Sequence, residues 1–79
     1  MHYVYILHSL VNPDRIYVGC TGDLERRLRE HNSGECIYTN KYRPWELRTH
    51  VCFDDKEKAI AFERYLKLGS GRSFAKRHF

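Results

Sequence analysis

The stretch RIYVGCTGDLERRLREH (residues 15–31) runs from a β-strand pattern directly into an amphipathic helix. Its first part, RIYVG, is rich in β-branched and aromatic residues, which is typical of a strand. From Leu24 onward the apolar residues recur at helical spacing. Arg27 falls on the same side of this helix as Leu24, Leu28 and His31, so an arginine lies on the apolar stripe. Such a charge needs an ion partner or a ligand, because an unpaired charge is costly to bury.

The chain before this stretch predicts a partner strand. Residues 2–9 (HYVYILHS) alternate, with Tyr5 on one side and Val4 on the other. Asn-Pro-Asp within residues 10–15 predicts a turn, because proline cannot continue a sheet ladder comfortably. Residues 15–19 then return, so the first 19 residues predict an antiparallel hairpin.

The rest of the chain predicts helices packed on a small sheet. First comes a helix that is capped by Thr21 or Asp23 and ends within residues 32–34. A surface loop (35–44) and a strand (45–54) follow. The chain then forms a helix (55–68), which is capped by Asp54 or Asp55 and stopped by Gly69, and a short helix (71–76). Alternation in the third strand places five residues on one buried face: Trp45, Leu47, Thr49, Val51 and Phe53. We therefore predict an α+β fold with a three-stranded, mainly antiparallel sheet flanked by helices, in the order β-β-α-β-α-(α), as a single domain over residues 1–79.

Charge and cysteine content bound the class of protein. Fourteen Lys and Arg against ten Asp and Glu give a net charge of +4, which favours an anionic partner. Residues 64–79 contain basic residues and no acidic ones, which fits a solvated helix as well as a phosphate-binding surface. Cys20, Cys36 and Cys52 form no ligand pair and are odd in number, which argues against disulfides and a zinc site. No long apolar run indicates a membrane segment, so we expect a reducing cytoplasm.

A second charge lies on an apolar stripe. Glu63 is four residues after Ala59 and three before Leu66. By themselves, Arg27 and Glu63 fit a structural ion pair somewhat better than a ligand site. A pair, however, does not account for the tyrosines of the hairpin.

Tyr5 and Tyr17 lie on paired strands and are expected on the same face, with Gly19 allowing a close backbone approach or turn beside them. Together with Arg27 and Glu63 they make a reasonable phosphodiester site. The arginine would neutralise phosphate charge, a phenol would handle a proton, and the carboxylate would hold Mg²⁺ or Mn²⁺.

These residues resemble the GIY-YIG endonuclease family. YVY (residues 3–5) and YVG (residues 17–19) stand in for the two strand motifs, with 11 residues between Tyr5 and Tyr17. The arginine of the following helix and the glutamate of a later helix match Arg27 and Glu63. The resemblance implies a metal-dependent endonuclease that hydrolyses DNA phosphodiester bonds in repair, recombination or the processing of structured DNA.

The resemblance also implies a role for each residue. Glu63 would bind one Mg²⁺ or Mn²⁺, and Arg27 would stabilise the pentavalent phosphate. Tyr5 and Tyr17 would position or deprotonate the attacking water, with the choice of base left open. His31 matches a histidine of small members; it would assist proton transfer or contact phosphate, or equally cap its helix.

Three departures leave a second function open. Tyr3 replaces the first glycine, Cys20 replaces a lysine of repair-type members, and residues 69–79 contain no asparagine. The alternative is therefore a non-catalytic nucleic-acid-binding module. For either function we expect branched, flapped or single-stranded DNA, selected by its shape or by a partner protein, and no membrane. The expected phosphate contacts are Arg26, Arg43, Lys67, Arg72 and Lys76.

Overall fold

A computed structural model describes residues 1–79 and contains three strands and four helices. Their bounds are β1 (His2–Ser9), β2 (Ile16–Thr21), α1 (Leu24–Ser33), α2 (Ile37–Asn40), β3 (Trp45–Phe53), α3 (Lys56–Lys67) and α4 (Gly69–His78). The strands form one antiparallel sheet in the order β2-β1-β3, so β2 is an edge strand. The predicted α+β class and three-stranded sheet are confirmed. No helix combines the length and the apolar composition that crossing a bilayer requires.

Capping residues explain where α1 begins and ends and where α3 begins. The Asp23 carboxylate accepts from the backbone N–H of Arg26 at the start of α1. Gly34 ends α1 with a φ of 86°, the left-handed conformation that glycine adopts at no steric cost. Asp55 caps α3 by accepting from the backbone N–H groups of two residues in its first turn.

The alternation along β1 divides the core into two clusters on opposite faces of the sheet. The aliphatic cluster comprises Val4, Ile6, Val18, Ala59, Leu66 and Ala75, so α3 and α4 cover that face. The tyrosine cluster comprises Tyr5, Leu7 and Trp45, with Tyr17, Leu24, Leu28, Tyr42 and Leu47 packed against it. Helix α1 therefore covers the face that carries both hairpin tyrosines.

The prediction that β3 keeps all its apolar residues on one face is wrong. A register shift opposite Ile6 and Leu7 inserts Arg48 as an extra residue in β3. A bulge of this kind reverses which side the following residues face, because side chains alternate with a period of two. Trp45 therefore packs in the tyrosine cluster, while Phe53 packs against the aliphatic cluster.

The second half of the chain contains more helix than predicted. The segment 35–44 is not a loop throughout, because it forms the short helix α2. Helix α3 ends at Lys67 with Leu68 as its C-cap, close to the predicted stop at Gly69. Gly69 is also the first residue of α4, which extends to His78 rather than covering only residues 71–76. Gly71 lets α4 approach α3 closely, since a Cβ there would overlap the Tyr65 carbonyl group.

Candidate active site

The two hairpin tyrosines share one face of the sheet. Tyr5 is opposite Gly19, and Leu7 is opposite Tyr17, so both phenol rings project toward α1. The ring centroids are 6.2 Å apart. A Cβ on Gly19 would overlap the Tyr5 hydroxyl oxygen. Gly19 is therefore required inside a strand, because the Tyr5 ring lies directly over its backbone, and the expectation of a turn there is wrong.

His31 joins Tyr5 to helix α2 through a buried chain of hydrogen bonds. Its Nε2 is 2.9 Å from the Tyr5 hydroxyl oxygen, and its Nδ1 is 2.7 Å from the Thr39 hydroxyl oxygen. His31 is 0% exposed, and Tyr5 and Thr39 are each 1% exposed. The His31 ring also packs against Tyr17, with centroids 4.8 Å apart. The histidine side chain therefore has partners on both ring nitrogens.

Arg27 lies at the solvent side of this chain. Its side chain is 34% exposed, and its guanidinium donates to the Glu30 carboxylate at 2.8 Å. The positive charge of this guanidinium is near enough to the Tyr5 hydroxyl to act on the pKa of that phenol. A shallow pocket beside it is lined only by polar residues and glycine: Thr21, Gly22, Asp23, Arg26, Arg27 and Glu30. Arg27 thus connects a solvent-accessible polar pocket with the buried tyrosine.

Burial and Arg27 set the protonation states in this cluster. Burial raises the pKa of Tyr5 to about 12, although the neighbouring Arg27 opposes the effect. Burial, followed by the positive charge of Arg27, lowers the pKa of His31. Hydrogen bonds from Arg27 and then Arg26 lower the pKa of Glu30. At neutral pH the cluster therefore holds a neutral phenol, a neutral imidazole and an ionised Arg27–Glu30 pair.

Glu63 lies on the other side of the sheet edge and does not pair with Arg27. Its carboxylate accepts from the Lys67 ammonium at 3.4 Å and is close enough to the Cys20 thiol to help burial raise the pKa of that thiol. The Lys67 ammonium also lies 6.0 Å from the centre of the Tyr17 ring. The structural Arg27–Glu63 ion pair is therefore wrong, because α1 and α3 cover opposite faces. Both charges lie beside β2, because Arg27 lines a pocket with Thr21 and Glu63 lies near Cys20.

The five predicted phosphate contacts do not form one surface. Arg26 pairs with Glu30, and Lys67 pairs with Glu63. The Arg43 guanidinium lies over the Gly34 turn. The last two, Arg72 and Lys76, line a pocket with Arg48 on the α4 side of the sheet.

Three residues that organise the cluster were not predicted. Thr39 holds His31, Glu30 holds Arg27, and the Asn32 side chain bonds both the backbone N–H and the carbonyl of Trp45. The i, i+3 spacing of Arg27 and Glu30 was a usable signal for one of them. No periodic pattern marks Thr39, because it lies in a four-residue helix.

A family model supplies the observation that decides the membership of this chain. The model of the GIY-YIG catalytic domain matches residues 1–77. The chain belongs to the GIY-YIG family. Membership supports a nuclease over other classes of protein.

Relatives of this GIY-YIG chain include UPF0213 proteins and a nuclease subunit. A UPF0213 protein of Haloquadratum walsbyi is 42% identical over 67 residues, covering 84% of this chain and 73% of that protein. The structure-specific endonuclease subunit SLX1 of Debaryomyces hansenii is 39% identical over 71 residues, which cover 81% of this chain but only 20% of that protein.

A solved structure shares the fold. The NMR structure of a UPF0213 protein of Bacillus halodurans aligns with a TM-score of 0.57 at 36% identity, covering 95% of this chain and 79% of that chain. The similarity to this GIY-YIG chain thus extends over nearly all of its elements.

Proposed function

We propose that this chain is a divalent-metal-dependent endonuclease that hydrolyses DNA phosphodiester bonds. The observation that carries the proposal is the position of Arg27, which borders a polar pocket and whose charge lies near the hydroxyl of the Tyr5–His31 pair. A phosphate held by the guanidinium would therefore lie next to a phenol that has a proton acceptor behind it. Phosphoryl chemistry needs both features: positive charge at the phosphate and a path for the proton of the attacking water.

The electrostatics of Arg27 suit a phosphate ligand. Its positive charge is partly offset by Glu30, but a guanidinium has five N–H donors, and one carboxylate does not occupy them all. Two parallel N–H groups can bind phosphate oxygens in a bidentate manner. Arg27 would thus neutralise charge that develops on the phosphate while Glu30 keeps the side chain oriented.

Tyr5 is the phenol that is equipped to transfer a proton. Its hydroxyl contacts the neutral His31 ring, whose pKa is lowered by burial. On deprotonation of the water, Tyr5 would accept that proton as its own passes to Nε2 of His31. Tyr17 is partly exposed and would help to place the water, since its ring packs against the same imidazole.

Glu63 fits a divalent cation as the single protein ligand. Its carboxylate is a hard oxygen donor whose side chain is 22% exposed, which leaves room for water and phosphate oxygens to complete the shell of Mg²⁺ or Mn²⁺. When bound, the cation would polarise the phosphate and stabilise negative charge on its oxygens. The Lys67 ammonium pairs with the Glu63 carboxylate, so it would compete with the divalent cation for that carboxylate.

We propose structured DNA as the substrate class. The enzyme would act on it in repair, recombination or related processing. The support is the similarity to a structure-specific endonuclease subunit together with the net charge of +4. Arg26 and Lys67 flank the cluster and would contact the phosphates nearest to it. The pocket formed by Arg48, Arg72 and Lys76 is on the other sheet face and would contact a more distant part of a branched or flapped substrate.

A cleavage assay with matched variants tests the proposal. The purified protein is incubated with Mn²⁺ or Mg²⁺ and labelled branched, flapped, single-stranded and duplex DNA. We compare Glu63→Gln with Glu57→Gln, an exposed glutamate of the same helix, and Arg27→Ala with Arg29→Ala, an exposed arginine of the same helix. We expect metal-dependent cleavage that is lost in the first variant of each pair and retained in the second. Cleavage that survives Glu63→Gln would refute the role of that residue.

The second candidate is a non-catalytic nucleic-acid-binding module. It is favoured by the observation that both key charges already have partners, Arg27 with Glu30 and Glu63 with Lys67. This candidate predicts DNA binding that weakens steeply with salt and no cleavage in any metal. That pair of results from the wild-type protein would replace the nuclease proposal.

A further inference from the structure

Helix α2 is a small element with one buried hydroxyl. Within this helix, the side chains of Ile37 and Tyr38 are 87% and 86% exposed, whereas Thr39 is 1% exposed. The Trp45 indole N–H donates to the Thr39 carbonyl oxygen at 2.8 Å, which fixes this residue against the tyrosine cluster. The packing thus holds Thr39 in place although most of α2 faces solvent.

The hydrogens of the buried chain can be counted. The Thr39 hydroxyl has one hydrogen and donates it to the Cys36 carbonyl oxygen at 3.5 Å. Its oxygen is then free to accept from His31, whose Nδ1 is 2.7 Å away. A neutral imidazole carries one ring hydrogen, so Nε2 has none and accepts from the Tyr5 hydroxyl at 2.9 Å.

The opposite assignment satisfies fewer groups. If Nε2 of His31 carried the ring hydrogen, it would donate to the Tyr5 oxygen, and His31 is the only side chain within hydrogen-bond distance of that hydroxyl. The phenolic hydrogen would then lack an acceptor in a site that is 1% exposed. A buried unsatisfied donor is disfavoured, and no buried side-chain polar atom in this structure lacks a partner.

We infer that Thr39 is a positioning residue, whose hydroxyl holds His31 as the Nδ1–H tautomer and so leaves Nε2 free to accept the Tyr5 proton. The inference rests on the proposed nuclease function only for its kinetic consequence. In that reaction the proton of water moves to the Tyr5 oxygen and the phenolic proton moves to Nε2. The hydroxide oxygen bonds to phosphorus as the bond from phosphorus to the leaving sugar oxygen breaks, and that oxygen would take its proton from solvent water. The resulting imidazolium keeps its Nδ1–H bonded to Thr39.

Nitrogen NMR of the free, ¹⁵N-labelled protein tests the tautomer without DNA or metal. We expect the His31 ring signals of a protonated Nδ1 and an unprotonated Nε2 in the wild-type protein and in Thr39→Ser. Thr39→Val keeps the volume but removes the acceptor of the Nδ1 hydrogen, so we expect the fraction of His31 that is protonated at Nε2 to rise. Thr49→Val, in β3, is the matched control and should leave His31 unchanged. Protonation at Nε2 in the wild-type protein would overturn the inference.

Single-turnover cleavage tests the kinetic consequence. We expect Thr39→Val to lower the rate at saturating DNA by about tenfold or more, with DNA affinity unchanged and with recovery in Thr39→Ser. The positioning role would be contradicted if the cleavage rate fell equally in Thr39→Val and in Thr39→Ser while Thr39→Ser kept the wild-type tautomer. Absence of cleavage by the wild-type protein would count against the proposed function alone, since the NMR result decides the tautomer independently.

Discussion

Replacing Gly19 by alanine is the sharpest test of how the sheet holds the tyrosine. The new Cβ would overlap the Tyr5 hydroxyl oxygen and would lie 2.5 Å from the Cζ of that ring and 3.0 Å from the Tyr17 ring. Tyr5 is 1% exposed and packs against His31, so its ring has no free space into which it can move. Overpacking of this kind costs about 1–3 kcal/mol, whereas alanine in place of glycine within a strand would otherwise gain roughly 0.5–1 kcal/mol.

The net expectation for Gly19→Ala is a loss of about 1–2 kcal/mol in the free energy of unfolding. Urea denaturation followed by the fluorescence of the single, buried Trp45 measures it. Gly22→Ala is the matched control, because its nearest contact would be the Met1 carbonyl oxygen at 3.9 Å, and it should stay within about 0.5 kcal/mol of wild type. The reasoning fails if Gly19→Ala is as stable as Gly22→Ala.

Three further predictions follow from single groups. Burial raises the pKa of Tyr5 to about 12, so the unfolded chain releases this proton first as pH rises. In urea titrations at alkaline pH, the free energy of unfolding of the wild-type protein should therefore fall by about 1.4 kcal/mol relative to that of Tyr5→Phe by about pH 11. The control is Tyr38→Phe, at an exposed tyrosine, which should lose stability as the wild-type protein does. Lys67→Gln should lower the Mn²⁺ concentration for half-maximal cleavage, because it removes the cation that competes for Glu63, and an unchanged metal titration would contradict that competition. Asp55→Ala should reduce the urea-derived free energy of unfolding by about 1 kcal/mol, since two backbone N–H groups at the start of α3 lose their acceptor; no change would mean that water replaces the cap.

Much of the fold was predictable because its signals are local. The alternation of β1, the carboxylates that begin α1 and α3, and the glycine that ends α1 each act within a few residues of chain. The shared face of Tyr5 and Tyr17 also followed from the period of two, once the two strands were paired as a hairpin. Four of the five residues predicted for catalysis, Tyr5, Tyr17, Arg27 and His31, lie in one cluster.

The sequence by itself determined the three strands and the two main helices, α1 and α3, and that the hairpin tyrosines project together, because periodicity and capping are short-range properties. Only the tertiary structure decided that α1 and α3 cover opposite faces, that Arg27 therefore pairs with Glu30 rather than Glu63, and that Thr39 reaches His31. The tertiary structure alone also decided where the bulge in β3 lies. These outcomes depend on contacts between segments distant along the chain, where packing and the satisfaction of buried hydrogen bonds outweigh any local pattern.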